Sequence, residues 1–400
     1  MQTVLPPDFK ATEIGRQIDS ILRSCVHCGF CNATCPTYQL LGDELDGPRG
    51  RIYQIKQMLE TGNATRSTQI HLDRCLTCRN CETTCPSGVQ YSRLLDVGRY
   101  WLAKKIPRRG LDSMFRKLLV YLFSSSTRFT VVLRLGQLVR PLLFGELRRK
   151  IPKYQQAKPW PTRQHKRKMI VLSGCVQPGI APDINRAAAQ ILDRLGIQLV
   201  DSAEAGCCGS ISQHAAMEEG ARILARTNID AWWPLIEQGA EAIVMTASGC
   251  GLHIKDYGHL LRHDKDYADK AQMVASITRD IAEVVEKEDL SKLQPGNTTL
   301  RITYHPPCTL QHGLRLGGKV EALLGKLGYQ LTPFEEPHLC CGSAGTYSIL
   351  QPDIATQLRQ RKLNAMQKGQ PDVLVTANIG CQVHLQSGTR IPVKHWVELL

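Results

Sequence analysis

The chemistry in this 400-residue chain is concentrated in its sixteen cysteines, which fall into groups. Cys25, Cys28, Cys31 and Cys35 precede Pro36, and Cys75, Cys78, Cys81 and Cys85 precede Pro86. Both runs follow the C-x2-C-x2-C-x3-C-P spacing of two-cluster 4Fe–4S proteins. Three thiolates spaced in this way can wrap one cubane corner by corner. The fourth, turned outward by its proline, reaches the neighbouring one. The spacing therefore assigns Cys25, Cys28, Cys31 and Cys85 to one 4Fe–4S cluster, and Cys75, Cys78, Cys81 and Cys35 to a second. Zinc sites favour two cysteine pairs and fit this doubled pattern poorly.

The other eight cysteines form two further groups. Cys175, Cys207, Cys208 and Cys250 make one; Cys308, Cys340, Cys341 and Cys381 make the other. The offset between them is 133 for the first three and 131 for the last. Adjacent cysteines can both face a metal in a tight turn relaxed by Gly209 or Gly342. Four soft thiolates suit either a further iron–sulfur cluster or Zn²⁺. Inert core thiols, or thiol–disulfide exchange at the adjacent pairs, are the competing readings. His253 and His384 each follow the last cysteine of a group by three residues, as ligand or proton relay on one reading and as helix packing on the other.

The elements that must position these groups can be read around them. Between the N-terminal runs, 39 residues separate Cys35 from Cys75, and Ile52, Ile55, Met58 and Leu59 share a helical face. This favours an α-helical ferredoxin over a compact one. Beyond residue 166 the chain is duplicated. In the first copy, Met169–Ser173 reads as a strand, and Ile184, Ala188, Ile191 and Leu195 as a helix stopped by Gly196. In the second, Ile302–Tyr304 leads to Val320, Leu323, Leu324 and Leu327, stopped by Gly328. Each copy is expected to end on a strand and turn, Ala242–Cys250 and Val373–Cys381. Strands alternating with helices imply small, mainly parallel sheets, with the cysteines at one sheet edge. The expected fold class is multidomain α+β: a two-cluster ferredoxin-like domain over 1–105, a basic helical linker over 106–165, and α/β cysteine-rich modules over 166–295 and 296–400.

Of the 50 basic residues, 18 lie in 101–170, accompanied only by the acids Asp112 and Glu146. The net charge of +14 therefore belongs to one segment. Phe115, Leu118, Leu119, Leu122 and Phe123 share a helical face there, as do Val132, Leu135 and Val139. Such a basic amphipathic stretch suits an anionic lipid surface, or a connector packed on neighbouring domains. It carries no recognisable nucleic-acid module, so no nucleic-acid partner is expected. The first ten residues have no apolar signal core, which leads to the expectation of a cytoplasmic chain, peripheral at most on the cytoplasmic face of the inner membrane. Gly249 and Gly251 follow a strand but lack the third glycine of a dinucleotide fingerprint, and no catalytic triad or paired-carboxylate set is present, so no catalytic residue is assigned.

The Cys-Cys-Gly repeats resemble the cysteine-rich domains of heterodisulfide reductase subunits, lactate-utilisation proteins and the third subunit of anaerobic glycerol-3-phosphate dehydrogenase. With Leu41–Arg51, Cys75-Leu-Thr-Cys-Arg-Asn-Cys81 and Thr376-Ala-Asn-Ile-Gly-Cys381, the whole chain resembles the glycolate oxidase (glycolate dehydrogenase) iron–sulfur subunit family. The resemblance implies an electron-transfer subunit, with FAD on partner subunits oxidising glycolate to glyoxylate and quinone as the onward acceptor. Lactate or glycerol-3-phosphate oxidation is the near alternative, because substrate would be chosen on the partner. One departure stands out. The wider family closes each repeat with Cys-x-x-Cys, but Ala247 and Asn378 replace the first of that pair. This argues against a five-cysteine non-cubane cluster and leaves four-thiolate sites, or one filled and one vacant.

Overall fold

A computed structural model describes residues 1–400, the side chains of Glu146 and Leu147 excepted. The chain divides into two compact units that do not follow chain order. One comprises residues 1–116 with 338–358, and the other residues 117–337 with 359–400.

The first unit is helical. Helix Pro48–Thr61 buries Ile52, Ile55, Met58 and Leu59, the face anticipated from their spacing. They pack with Ile18, Leu22, Leu72, Leu94 and Leu95. Gly98 is required at this packing: a Cβ there would stand 2.8 Å from Ile55 Cγ1. Long-range hydrogen bonds fasten residues 338–358 into this unit. Asn80 Nδ2 donates to the His338 carbonyl at 3.1 Å, and the Tyr347 hydroxyl donates to the Arg74 carbonyl at 2.9 Å.

The second unit contains two parallel sheets. In the first, β1 (Arg167–Val171) lies between β2 (Ile197–Asp201) and β3 (Ile243–Met245), with β4 (Thr278–Asp280) outside β3. In the second, β5 (Ile302–His305), β6 (Val373–Thr376) and β7 (Val393–His395) follow in order, and Leu331 bridges to Ile302 on the other flank. The duplication read from the letters thus extends to sheet order, and each copy gains an outer parallel strand, β4 or β7. Helix Asp183–Arg194 ends before Gly196 and helix Lys319–Lys326 before Gly328, both glycines at positive φ. One continuous apolar core joins the inner faces of both sheets, from Val171 and Val244 to Tyr304 and Val375.

The basic segment forms helices Gly110–Phe123 and Ser126–Val139. Leu119 and Phe129 are buried, whereas Leu111 is 79% and Leu138 75% exposed. No single helix among the described residues is long and apolar enough to cross a membrane.

Candidate metal centres

Two cavities in the first unit are lined by the N-terminal cysteines. One is bounded by Cys25, Cys28, Cys31 and Cys85, and the other by Cys35, Cys75 and Cys78. Cys81 borders both. The backbone turns that aim these thiols are repeated. His27 and Gly29 have φ of 57° and 87°, and Thr77 and Arg79, the same steps into the second run, have 53° and 59°. Left-handed backbone at three non-glycine residues costs of order 1–3 kcal/mol each, a strain characteristic of loops wrapped around a ligand.

The electrostatics call for a cation in each cavity. Burial, then the neighbouring Cys25 and Cys85, pushes the Cys31 thiol up to about 11. Burial with Cys78 and Cys75 pushes Cys81 well up too. Four crowded thiols cannot all ionise without positive charge between them, and iron supplies it. The residues present therefore fit two iron–sulfur clusters. Cys28 is exposed, while Cys75 and Cys81 are buried.

The second cavity has a polar support that the spacing alone did not reveal. Cys75 Sγ accepts from the Tyr91 hydroxyl at 3.7 Å and from the Thr77 N–H at 3.5 Å. Arg51, 1% exposed, donates to the His71 carbonyl at 2.8 Å, Thr37 Oγ1 at 3.1 Å and Asp46 Oδ1 at 3.3 Å. Burial opposes its charge, but Cys75, Tyr91, Cys35 and Asp46 hold the guanidinium firmly protonated. Asp46 also accepts from Arg74 at 2.8 Å, so its carboxylate belongs to this network.

In the first cysteine-rich module the four thiols come together. Cys175 follows β1, Cys207-Cys208 follow β2, and Cys250 lies in helix Ser248–Lys255 after β3, all beyond the C-terminal ends of parallel strands. Cys175 and Cys207, Cys207 and Cys208, and Cys208 and Cys250 are hydrogen-bonded neighbours. Donation from the Cys175 and Cys208 thiols, with the Gly209 N–H at 3.4 Å, holds the Cys207 thiol well below its usual range. The other two of that trio are pushed up, Cys175 chiefly by its bond to Cys207 and Cys208 chiefly by its bonds to Cys207 and Cys250. Four sulfurs gathered at one place are a soft donor set suited to a metal. Gly209 has φ 95°, and a Cβ there would stand 3.1 Å from the Ala221 carbonyl and 3.2 Å from His253 Nε2. His253 is thus placed against the turn, where it lowers the Cys207 thiol further.

The cysteines of the second group fall in both units. Cys340 and Cys341 lie in the first unit, where Gly342, at φ 92°, donates its N–H to Cys340 Sγ at 3.4 Å. Cys308 and Cys381 lie in the second, Cys308 just after β5 and Cys381 in helix Ile379–Gln386 after β6. Asn378 donates to Cys381 Sγ at 3.5 Å. His384 lies in the same helix as Cys381. Sequence reasoning missed His305, which ends β5 three residues before Cys308. The available signal was its copy-to-copy mismatch: the first module has Leu172 at that position.

Comparison with known proteins agrees with this layout. The 4Fe-4S dicluster domain family matches residues 21–89, and the cysteine-rich domain family matches 169–255 and 302–386. The glycolate oxidase iron-sulfur subunit of Escherichia coli (strain K12) is 51% identical, the match covering 100% of this chain and 98% of that protein. A CoB–CoM heterodisulfide reductase subunit from Methanosarcina barkeri is 24% identical over 92% of this chain and 89% of its own. The crystal structure of a hypothetical protein from Helicobacter pylori, 10% identical, superposes with a TM-score of 0.57 over 97% of this chain and 72% of that one, a likeness of fold alone.

Proposed function

Since this chain belongs to the glycolate oxidase iron–sulfur subunit family, we propose that it is the electron relay of a flavin-linked glycolate dehydrogenase complex. Glycolate is oxidised to glyoxylate at FAD on a partner subunit, and the two electrons released pass through this chain, one at a time, towards membrane quinone. Iron–sulfur clusters, when bound, supply the one-electron storage that bridges a two-electron donor and a distant acceptor. The observation that carries the reading is the pair of cysteine-lined cavities, served by two runs of identical spacing.

Each residue has a stated task in that reading. Cys25, Cys28, Cys31 and Cys85 bind in the first cavity; Cys75, Cys78, Cys81 and Cys35 bind in the second. Tyr91 and the Thr77 N–H hold hydrogen bonds on the Cys75 sulfur, and Arg51 places a fixed positive charge beside it. Both effects favour the more negative, reduced state there. Cys175, Cys207, Cys208 and Cys250 bind a further iron–sulfur cluster in the first module. The exposed apolar residues of helices Gly110–Phe123 and Ser126–Val139, interleaved with arginine, seat the complex peripherally on anionic lipid.

The test is anaerobic co-purification of the full chain with its partners, with iron, sulfide and flavin quantified. At least eight irons per chain, with flavin on the partner, is the expected result. An iron-free chain that still bound its flavoprotein and sustained glycolate-to-quinone turnover would overturn the proposal.

A further inference from the structure

The two cysteine-rich modules share a plan but differ chemically at one position. Leu172, three residues before Cys175, is buried among apolar neighbours. His305, at the matching place before Cys308, is 1% exposed, and neither Nδ1 nor Nε2 has a hydrogen-bond partner. A buried polar group left unsatisfied costs about 1–3 kcal/mol. Such an exception points to a role outside the protein's own hydrogen bonding. The contrast lies within the same sheet. His395 on β7 pairs in register with Thr376 on β6, which in turn pairs with His305 on β5. His395 is satisfied at both nitrogens, by the Thr246 carbonyl at 2.8 Å and the Val397 N–H at 3.3 Å. His305 is not. The Thr376 hydroxyl beside it is likewise buried and unpartnered, as is that of Thr303, two residues earlier on β5.

A second observation says what the imidazole faces. A ring nitrogen of His305 lies within 4.8 Å of Cys381 Sγ. With Zn–N of about 2.0–2.1 Å and Zn–S of about 2.3 Å, two donors on one tetrahedral ion stand ~3.6 Å apart. The pair is therefore within reach of a single ion. His305 ends β5, and Cys381 lies in the helix that follows β6, beyond the C-terminal ends of parallel strands, where open α/β sheets bind their ligands.

We propose that His305 is a metal ligand and that, with Cys381 and the Cys308 that follows it, it holds a single divalent ion of the zinc type. The second module is then a mixed nitrogen–thiolate site, while the first remains all thiolate. One ring nitrogen takes the ion, and the other N–H turns to the Thr376 hydroxyl, which fixes the tautomer and orients the ring. A closed-shell ion there has no redox step of its own, so the module serves the complex structurally. The inference rests on the reading that the cysteine-rich modules hold metal, but it does not depend on the electron relay.

The test uses the full-length protein, purified anaerobically, with metal analysis and X-ray absorption at the zinc edge. About one zinc per chain is expected, with imidazole scattering in its shell. His305→Cys should keep the ion and lose the imidazole signal. His305→Ala should weaken retention against a chelator by at least ~10-fold. Iron content and the N-terminal cluster EPR signals should be unchanged in both variants. A sulfur-only shell in the wild type, imidazole scattering that survives in His305→Cys, or an iron-replete chain with no zinc-type ion would overturn the inference. An iron-free wild type would sink the relay reading, with the zinc shell still deciding this one.

Discussion

Tyr91 is a sharp probe of tuning, because its phenol is buried and its hydroxyl reaches the Cys75 sulfur. Tyr91→Phe removes one donor and leaves the ring. A net hydrogen bond of about 1 kcal/mol corresponds to roughly 40 mV in a one-electron couple. The second cluster's midpoint potential should fall by about that amount in an EPR-monitored redox titration, with the first cluster unmoved. At Gly342 the backbone itself is probed. Its φ is +92°, and a Cβ would stand 2.7 Å from the Ala355 carbonyl. Gly342→Ala should cost about 2 kcal/mol or more, read as a lower thermal midpoint and weaker metal retention. The cysteines were legible from spacing, because ligation demands a fixed count of residues between donors. Arg51, Tyr91 and His305 were not, because one arginine, tyrosine or histidine in a helix or strand has no period to betray it. Only the fold shows what surrounds them.

At the scale of elements, patterns long enough to repeat were readable. The helix through Ile52, Ile55, Met58 and Leu59 lies where its apolar spacing placed it, as do the two helices stopped by Gly196 and Gly328. Strands β2, β4 and β7 were not called. β4 and β7 have three residues each, too few for an alternation to register, and each is specified by its parallel partner instead. The basic helices carry the prediction that belongs at this scale. Their apolar residues from Leu111 to Leu142 stay largely exposed, a surface of the kind that docks on a partner or a lipid layer. Deleting residues 113–150 should release the assembled complex from anionic vesicles in a sedimentation assay. Unchanged sedimentation would reject lipid docking and leave a connector or partner contact.

Across the whole molecule, the duplication was legible because both copies kept their glycine stops and cysteine turns in step. The regrouping of residues 338–358 with the N-terminal unit was not. It involves long-range bonds such as Asn80 to His338 and Tyr347 to Arg74, which leave no mark in local sequence. The eight N-terminal thiols line cavities in a unit with a modest apolar core, so metal loss should be felt there first. Iron chelation under anaerobic conditions should lower the first thermal transition and reduce helical circular dichroism, while the sheet-containing unit melts later.

Among the eight N-terminal thiols, Cys28 alone is exposed. The corner it would hold therefore meets dissolved oxygen directly, while the buried Cys75 and Cys81 shelter their neighbours. Air exposure should bleach the brown colour in two stages, the outer centre fading early and the inner one surviving, so that an aged sample would pass for a single-cluster protein.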